Sequence, residues 1–143
     1  MPQASAVTRS PAASRYAAPS SFVCSWKPGG SGAAWVHVAG ELDLATSPLL
    51  RHALRDAQLY DRVVVLDLRE VTFIESTAVH VVLDAAASVR RGKGRLILVR
   101  GPTHVDRALT LTDASSQVLI VDLNPSDPPA RALLHIAQHK LVT

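Results

Sequence analysis

The residues best placed to do chemistry in this 143-residue chain are Glu75, Ser76 and Thr77. An apolar run, Val63 to Leu68, precedes them through Val71-Thr72-Phe73-Ile74, and an apolar periodicity over Val79, Val82, Leu83 and Ala86 follows. The first pattern is that of a buried strand and the second that of an amphipathic helix. Ser76 is therefore expected where a helix begins, at the positive end of its dipole, where an added phosphate is electrostatically favoured. The structural alternative is a helix N-cap, worth about 1 kcal/mol. Thr77 is the alternative acceptor, or a first-turn residue. Glu75 either positions the Ser76 hydroxyl or sits in the favourable field of the helix terminus.

Other pairings are weaker. His80 follows Ser76 at helical i+4 spacing, which puts both on one face. No glycine elbow and no third member accompany them, so a nucleophile pair is not expected. His135 and His139 share that spacing without a glutamate between them or a third ligand, so no metal site is expected. Gly92-Lys93-Gly94 follows a helix and precedes a strand, the reverse of a phosphate-binding loop, and reads as a turn. No cofactor is implied.

The elements that must carry these residues follow from periodicity. Phe22, Cys24 and Trp26 alternate with Val23 and Ser25, and Ala34 to Ala39 forms a second strand across the turn Pro28-Gly29-Gly30-Ser31-Gly32, giving a β-hairpin. Ser47-Pro48 starts a helix, with Ser47 as N-cap, and Leu50, Ala53, Leu54 and Ala57 form its apolar stripe. Beyond Gly94 come a strand over Arg95 to Val99, a helix around Val105 to Leu111 and a strand over Val118 to Val121. A last helix starts at Asp127-Pro128-Pro129 and carries Ala132, Leu133, Ile136 and Ala137 on one face. The order ββαβαβαβα predicts an α/β fold with a mainly parallel central sheet, an N-terminal hairpin and about four helices.

In such sheets, loops at the carboxyl ends of the parallel strands gather function. Glu41 and Asp43, in the segment Gly40 to Thr46, are thus expected beside Ser76 despite the distance in sequence. They are candidate contacts for a partner, or local turn and dipole chemistry.

Composition bounds the function further. Two each of Trp, Tyr and Phe leave the core to Val, Leu, Ile and Ala. Residues 1–20 are rich in Ala, Ser and Pro without periodicity and are expected to be a disordered basic tail, leaving 21–143 as one domain. The net charge of +3 arises from Arg9, Arg15 and Lys27, because twelve Lys/Arg balance twelve Asp/Glu from Glu41 onward. A neutral folded part gives no reason to expect nucleic-acid binding. No apolar run approaches the roughly 20 residues of a membrane span, and the opening residues do not read as a secretory signal. The lone Cys24 suits a reducing cytoplasm, as a small buried hydrophobe.

Two segments together resemble the STAS family of anti-sigma factor antagonists. They are Gly40-Glu41-Leu42-Asp43 and Leu66-Asp67-Leu68 followed by Val71-Thr72-Phe73-Ile74 and the hydroxyl pair. The element order agrees, and the resemblance spans about Phe22 to His139. It implies a bacterial binding protein rather than an enzyme. Its partner would be a cytoplasmic anti-sigma factor, of the serine-kinase type, which releases a sigma factor when bound. Phosphorylation at the position of Ser76 would break that complex, and a PP2C-type phosphatase would reset it. The implied contact residues are Glu41, Asp43, Glu75, Ser76, Thr77, Val79 and His80.

The chain departs from the family text at three places. Glu75 stands for an aspartate. Ala78 stands for a glycine, which excludes positive φ and is expected to put a methyl at the kinase-facing turn. Thr112-Asp113-Ala114 stands where a Thr/Ser-Gly-Leu turn is usual. A ligand-sensing or constitutive STAS module, not regulated by phosphorylation, is the alternative reading.

Overall fold

A computed structural model of the chain describes residues 14–15, 21–29, 32–112 and 118–132. Six strands form one sheet: β1 (Ser14–Arg15), β2 (Val23–Pro28), β3 (Ala33–Leu42), β4 (Val63–Ile74), β5 (Arg95–Val99) and β6 (Leu119–Val121). They lie side by side in sequence order. β1–β2 and β2–β3 pair antiparallel, and β3–β4, β4–β5 and β5–β6 pair parallel. Three α-helices make the parallel crossovers: α1 (Ser47–Tyr60), α2 (Ser76–Arg91) and α3 (Thr103–Thr110). The expected hairpin and mainly parallel sheet are both present. The predicted fourth helix, with Leu133, Ile136, Ala137 and the two histidines, lies outside the described residues beyond a 3-10 turn at Pro129–Arg131.

Because every crossover steps in the same direction along the sheet, crossovers of one hand put their helices on one face. The core confirms this. Leu50, Leu54, Val79, Val82, Val105 and Leu109 from the three helices share one cluster with Val36, Val64, Leu66 and Leu98 from the strands. The opposite face is a smaller cluster of Trp35, Val65, Ile97, Val99, Val121 and Ala132. Trp26 and Trp35, both 7% exposed, point to opposite faces, one into each cluster. Strands buried on both sides explain why Val63 to Leu68 lacks polar alternation.

Four expectations are corrected. Ser14–Arg15, placed in the disordered tail, instead pairs with Trp26 and Ser25 as an edge strand, because the outer edge of β2 offers unpaired backbone groups. The other tail residues up to 13 and the stretch 16–20 lie outside the described residues. β3 and β4 run longer than expected, to Leu42 and Ile74, so Gly40 to Leu42 and Arg69 to Ile74 are strand rather than loop. Helix α1 begins at Ser47 itself with Thr46 as the N-cap residue, because Thr46 Oγ1 is held by the loop before it, donating to Glu41 O at 2.8 Å. Finally, Ser76 is the first helical residue of α2 and Glu75 occupies the N-cap position, in extended backbone with no side-chain cap bond.

Candidate functional site

The carboxyl ends of β3 and β4 lie in register, Glu41 beside Phe73 and Leu42 beside Ile74. The register shifts between Gly40 and Glu41, leaving Thr72 of β4 as an extra residue opposite that point. Gly40 sits at φ +106°, and a Cβ there would lie 2.7 Å from Ser21 O, so the position requires glycine. From there the two chain ends are stitched together. Glu75 N–H donates to Leu42 O at 2.8 Å, and Ser47 Oγ donates to Asp43 O at 2.6 Å and is hydrogen-bonded with the Thr77 hydroxyl at 3.3 Å. The N-termini of α1 and α2 thereby lie against each other at one pole.

Asp43 organises this pole from within. Its Oδ1 accepts from Ala45 N–H and Thr46 N–H, both at 3.0 Å, and from Thr46 Oγ1 at 3.1 Å. Its own N–H donates to Thr46 Oγ1 at 2.9 Å. An aspartate folding its backbone back in this way is an Asx-type turn, which takes up the donors ahead of α1. Asp43 is half-buried, so its carboxylate is committed to the loop rather than presented to solvent.

The remaining sequence-selected residues divide sharply. Glu41, Glu75, Ser76 and His80 are exposed, and their side chains have no hydrogen-bond or ion-pair partner among the described residues. No bond joins Ser76 to His80 there, and no cluster of His, Cys, Asp and Glu among the described residues has metal-binding geometry. Thr77 is half-buried and its hydroxyl is hydrogen-bonded with Ser47. Val79, expected at the contact surface, is 4% exposed and belongs to the core. On α2 it projects toward the sheet, so it supports the site without lining it. Ala78 is fully buried, so its methyl faces the core and not a kinase at the surface. The residues Asp113 and Ala114 of the third departure lie outside the described residues.

Two residues escaped sequence reading. Leu44, 71% exposed in the β3–α1 loop, and Phe73, 44% exposed near the end of β4, are uncovered apolar side chains. Phe73 looked like part of a buried strand, yet it follows Thr72 on the outward-facing end of β4. The signal available was Leu44 itself, an apolar residue between two turn-forming positions. Among the described residues, this end of β3, β4 and α2 thus carries an unbonded hydroxyl, two free carboxylates and two uncovered apolar side chains.

This arrangement belongs to a known frame. The STAS domain profile matches residues 28–126, more than half of the chain. The chain belongs to the STAS domain family. Two relatives, each named anti-sigma-B factor antagonist, from Listeria monocytogenes and Listeria innocua, are 31% identical over 86 residues, covering 59% of this STAS chain and 75% of each relative. Among solved structures, an anti-sigma factor antagonist from Mycobacterium paratuberculosis superposes with a TM-score of 0.68 at 22% identity, over 85% of this chain and 99% of that one. The anti-sigma factor antagonist SpoIIAA in its unphosphorylated form gives 0.61 at 15% identity, over 81% and 97%. At these identities the structural likeness establishes the fold alone.

Cys24, the remaining reactive side chain, is 1% exposed on the helix side of the sheet, and burial pushes its thiol up to about 12. A thiol so protonated is a poor nucleophile.

Proposed function

We propose that this STAS domain is an anti-sigma factor antagonist that acts by binding and not by turnover. Its docking face is the start of α2 together with the β3–α1 loop, and the modification that controls it is phosphorylation of Ser76. The observation that carries this reading is the exposed Ser76 hydroxyl in the first turn of α2, unbonded among the described residues. The names of the Listeria relatives support the antagonist role.

The physical sequence is short. The unmodified face offers Leu44 and Phe73 as apolar anchors, with Glu41, Glu75 and His80 as a polar rim, the usual anatomy of a docking patch. The partner is an anti-sigma factor of the serine-kinase type in the cytoplasm. The kinase moves the γ-phosphoryl group of ATP to Ser76 Oγ, and ADP leaves. The product carries about −1.5 to −2 charges, which the N-terminus of α2 accommodates within the domain. Against a packed partner the same group is a hydrated anion beside Glu41 and Glu75, and the complex separates without refolding of the antagonist. A PP2C-type phosphatase restores the hydroxyl. Thr77 is the poorer acceptor, because its hydroxyl is half-buried and bonded to Ser47.

Titration calorimetry with the purified anti-sigma factor of the same organism tests this. Wild type and Ser76→Ala should bind alike, and Ser76→Glu should lose affinity by about two orders of magnitude. Equal binding by all three would sink the switch and leave a constitutive antagonist. Absence of binding by wild type would sink the antagonist reading and turn attention to a ligand-sensing module.

A further inference from the structure

A second feature lies away from the Ser76 pole, between the flanks of α1 and α2. Arg51, Leu54, Arg55 and Gln58 form one stripe of α1, and Val81, Asp84, Ala85, Ser88 and Arg91 form the facing stripe of α2. Between them runs a groove of about 210 Å³. Its base is apolar, since Leu54 and Val81 are both 2% exposed. Two polar bridges cross it: Gln58 Nε2 donates to Ser88 Oγ at 2.6 Å, and Arg51 Nη1 stands 3.7 Å from Asp84 Oδ2.

The charges in this groove do not balance. Among the described lining residues Asp84 is the one carboxylate, and Arg51 stands beside it. Arg55 and Arg91, on opposite walls, have no hydrogen-bond or ion-pair partner among the described residues. The two guanidinium groups are exposed and line one half-open groove, and each presents a planar fork of donors suited to phosphate oxygens. Arg91 also complements the C-terminal dipole of α2. That role explains its sign, but it does not account for Arg55 on the other helix.

We propose that the α1–α2 groove binds a small free phosphate compound, with Arg55 and Arg91 holding the phosphate from the two walls and Leu54 and Val81 beneath it. The volume is too small for a folded partner, and a concave groove between two helices does not match a flat lipid surface. The site is separate from the Ser76 face and does not depend on the antagonist reading.

The probe is inorganic pyrophosphate, added to the full chain and followed by thermal unfolding and by amide chemical shifts. Sodium chloride at matched ionic strength is the reference. Arg55→Gln/Arg91→Gln, with both exposed positions changed, should fold as wild type by circular dichroism. Arg107→Gln on α3, outside the groove, is the charge control. Wild type and Arg107→Gln should show a saturable rise in Tm, about 9 °C at hundredfold excess over Kd. The shifted amides should include Leu54 and Ala85, and the double variant should lose both effects. The proposal fails if wild type shows no saturable rise or if sodium chloride reproduces it. It also fails if the double variant retains the rise, which would mark the arginines as an ordinary solvated face.

Discussion

Two clusters of polar residues sit at the same carboxyl edge of the sheet and are built in opposite ways. On the second face, Asp67 is 5% exposed and is bound by Arg69 through both carboxylate oxygens, at 3.0 and 2.8 Å. The same guanidinium donates to Asn124 O at 2.6 Å and Asp127 O at 2.8 Å. That fastens the segment after β6 to β4. The hydrogen bond to Asp67 leads the interactions that hold Arg69 above its ordinary pKa, against burial. At the Ser76 end, by contrast, Glu41, Glu75, Ser76 and His80 are without side-chain partners among the described residues, and Leu44 and Phe73 are exposed. Polar groups that finish their hydrogen bonds internally serve the fold; groups left unfinished beside apolar surface are available to something else.

Mutations can sharpen that contrast. The largest effect is expected at the closed cluster: Arg69→Ala leaves Asp67 as an uncompensated buried charge and should cost about 3–5 kcal/mol in urea unfolding. Partner affinity of the fraction that remains folded should be unchanged. Ser76→Glu should do the reverse. Its loss of partner affinity, about two orders of magnitude or about 2.7 kcal/mol, should come with a change in unfolding free energy within about 0.5 kcal/mol. A large destabilisation by Ser76→Glu would erase the distinction between the two regions.

Gly40→Ala tests the register shift that leads into the open region. Strain at φ +106° and the approach to Ser21 O should cost on the order of 2 kcal/mol by chemical denaturation. Partner binding should weaken as well, because Glu41 and the loop to Thr46 follow directly on that shift. Leu44→Ala and Phe73→Ala should each weaken docking by about tenfold, in the range of an ordinary interface anchor. Their Tm should move little, since neither side chain is buried.

The smallest effect is expected at Cys24. Its thiol should resist Ellman's reagent in the folded domain at pH 8 and react at once in denaturant. Its raised pKa also has a sign in the pH profile. Above about 9, the unfolded thiol loses its proton while the folded one keeps it up to about 12. The Cys24 contribution to stability therefore falls as pH rises through that window. A Cys24→Ala protein should lack this component of the alkaline decline.

Much of the molecule was readable in order. The apolar run Val63 to Leu68 could only be a strand covered on both faces, and the spacing of Val79, Val82 and Ala86 could only be a helix packed on one side. The element ends were not readable, because pairing with a neighbour extends a strand beyond what its own pattern suggests. β4 continues through Arg69 to Ile74 since β3 runs alongside it, and β3 does so because Gly40 permits the register shift. For the same reason the cap of α1 shifted from Ser47 to Thr46: the Asp43 turn had already taken Thr46 as its partner.

The sequence by itself determined the fold class, the helix start that carries Ser76, and the nearness of the Gly40 to Thr46 segment to it. These follow from periodicity and from the rule that parallel strands bring their carboxyl ends to one edge. Only the tertiary structure decided which side chains at that edge remain available. Val79 and Ala78 turned inward, Asp43 and Thr77 were consumed by local bonds, and Leu44 and Phe73 were left outside. Periodicity assigns a residue to a face, but whether that face is covered or bonded depends on neighbours distant in sequence.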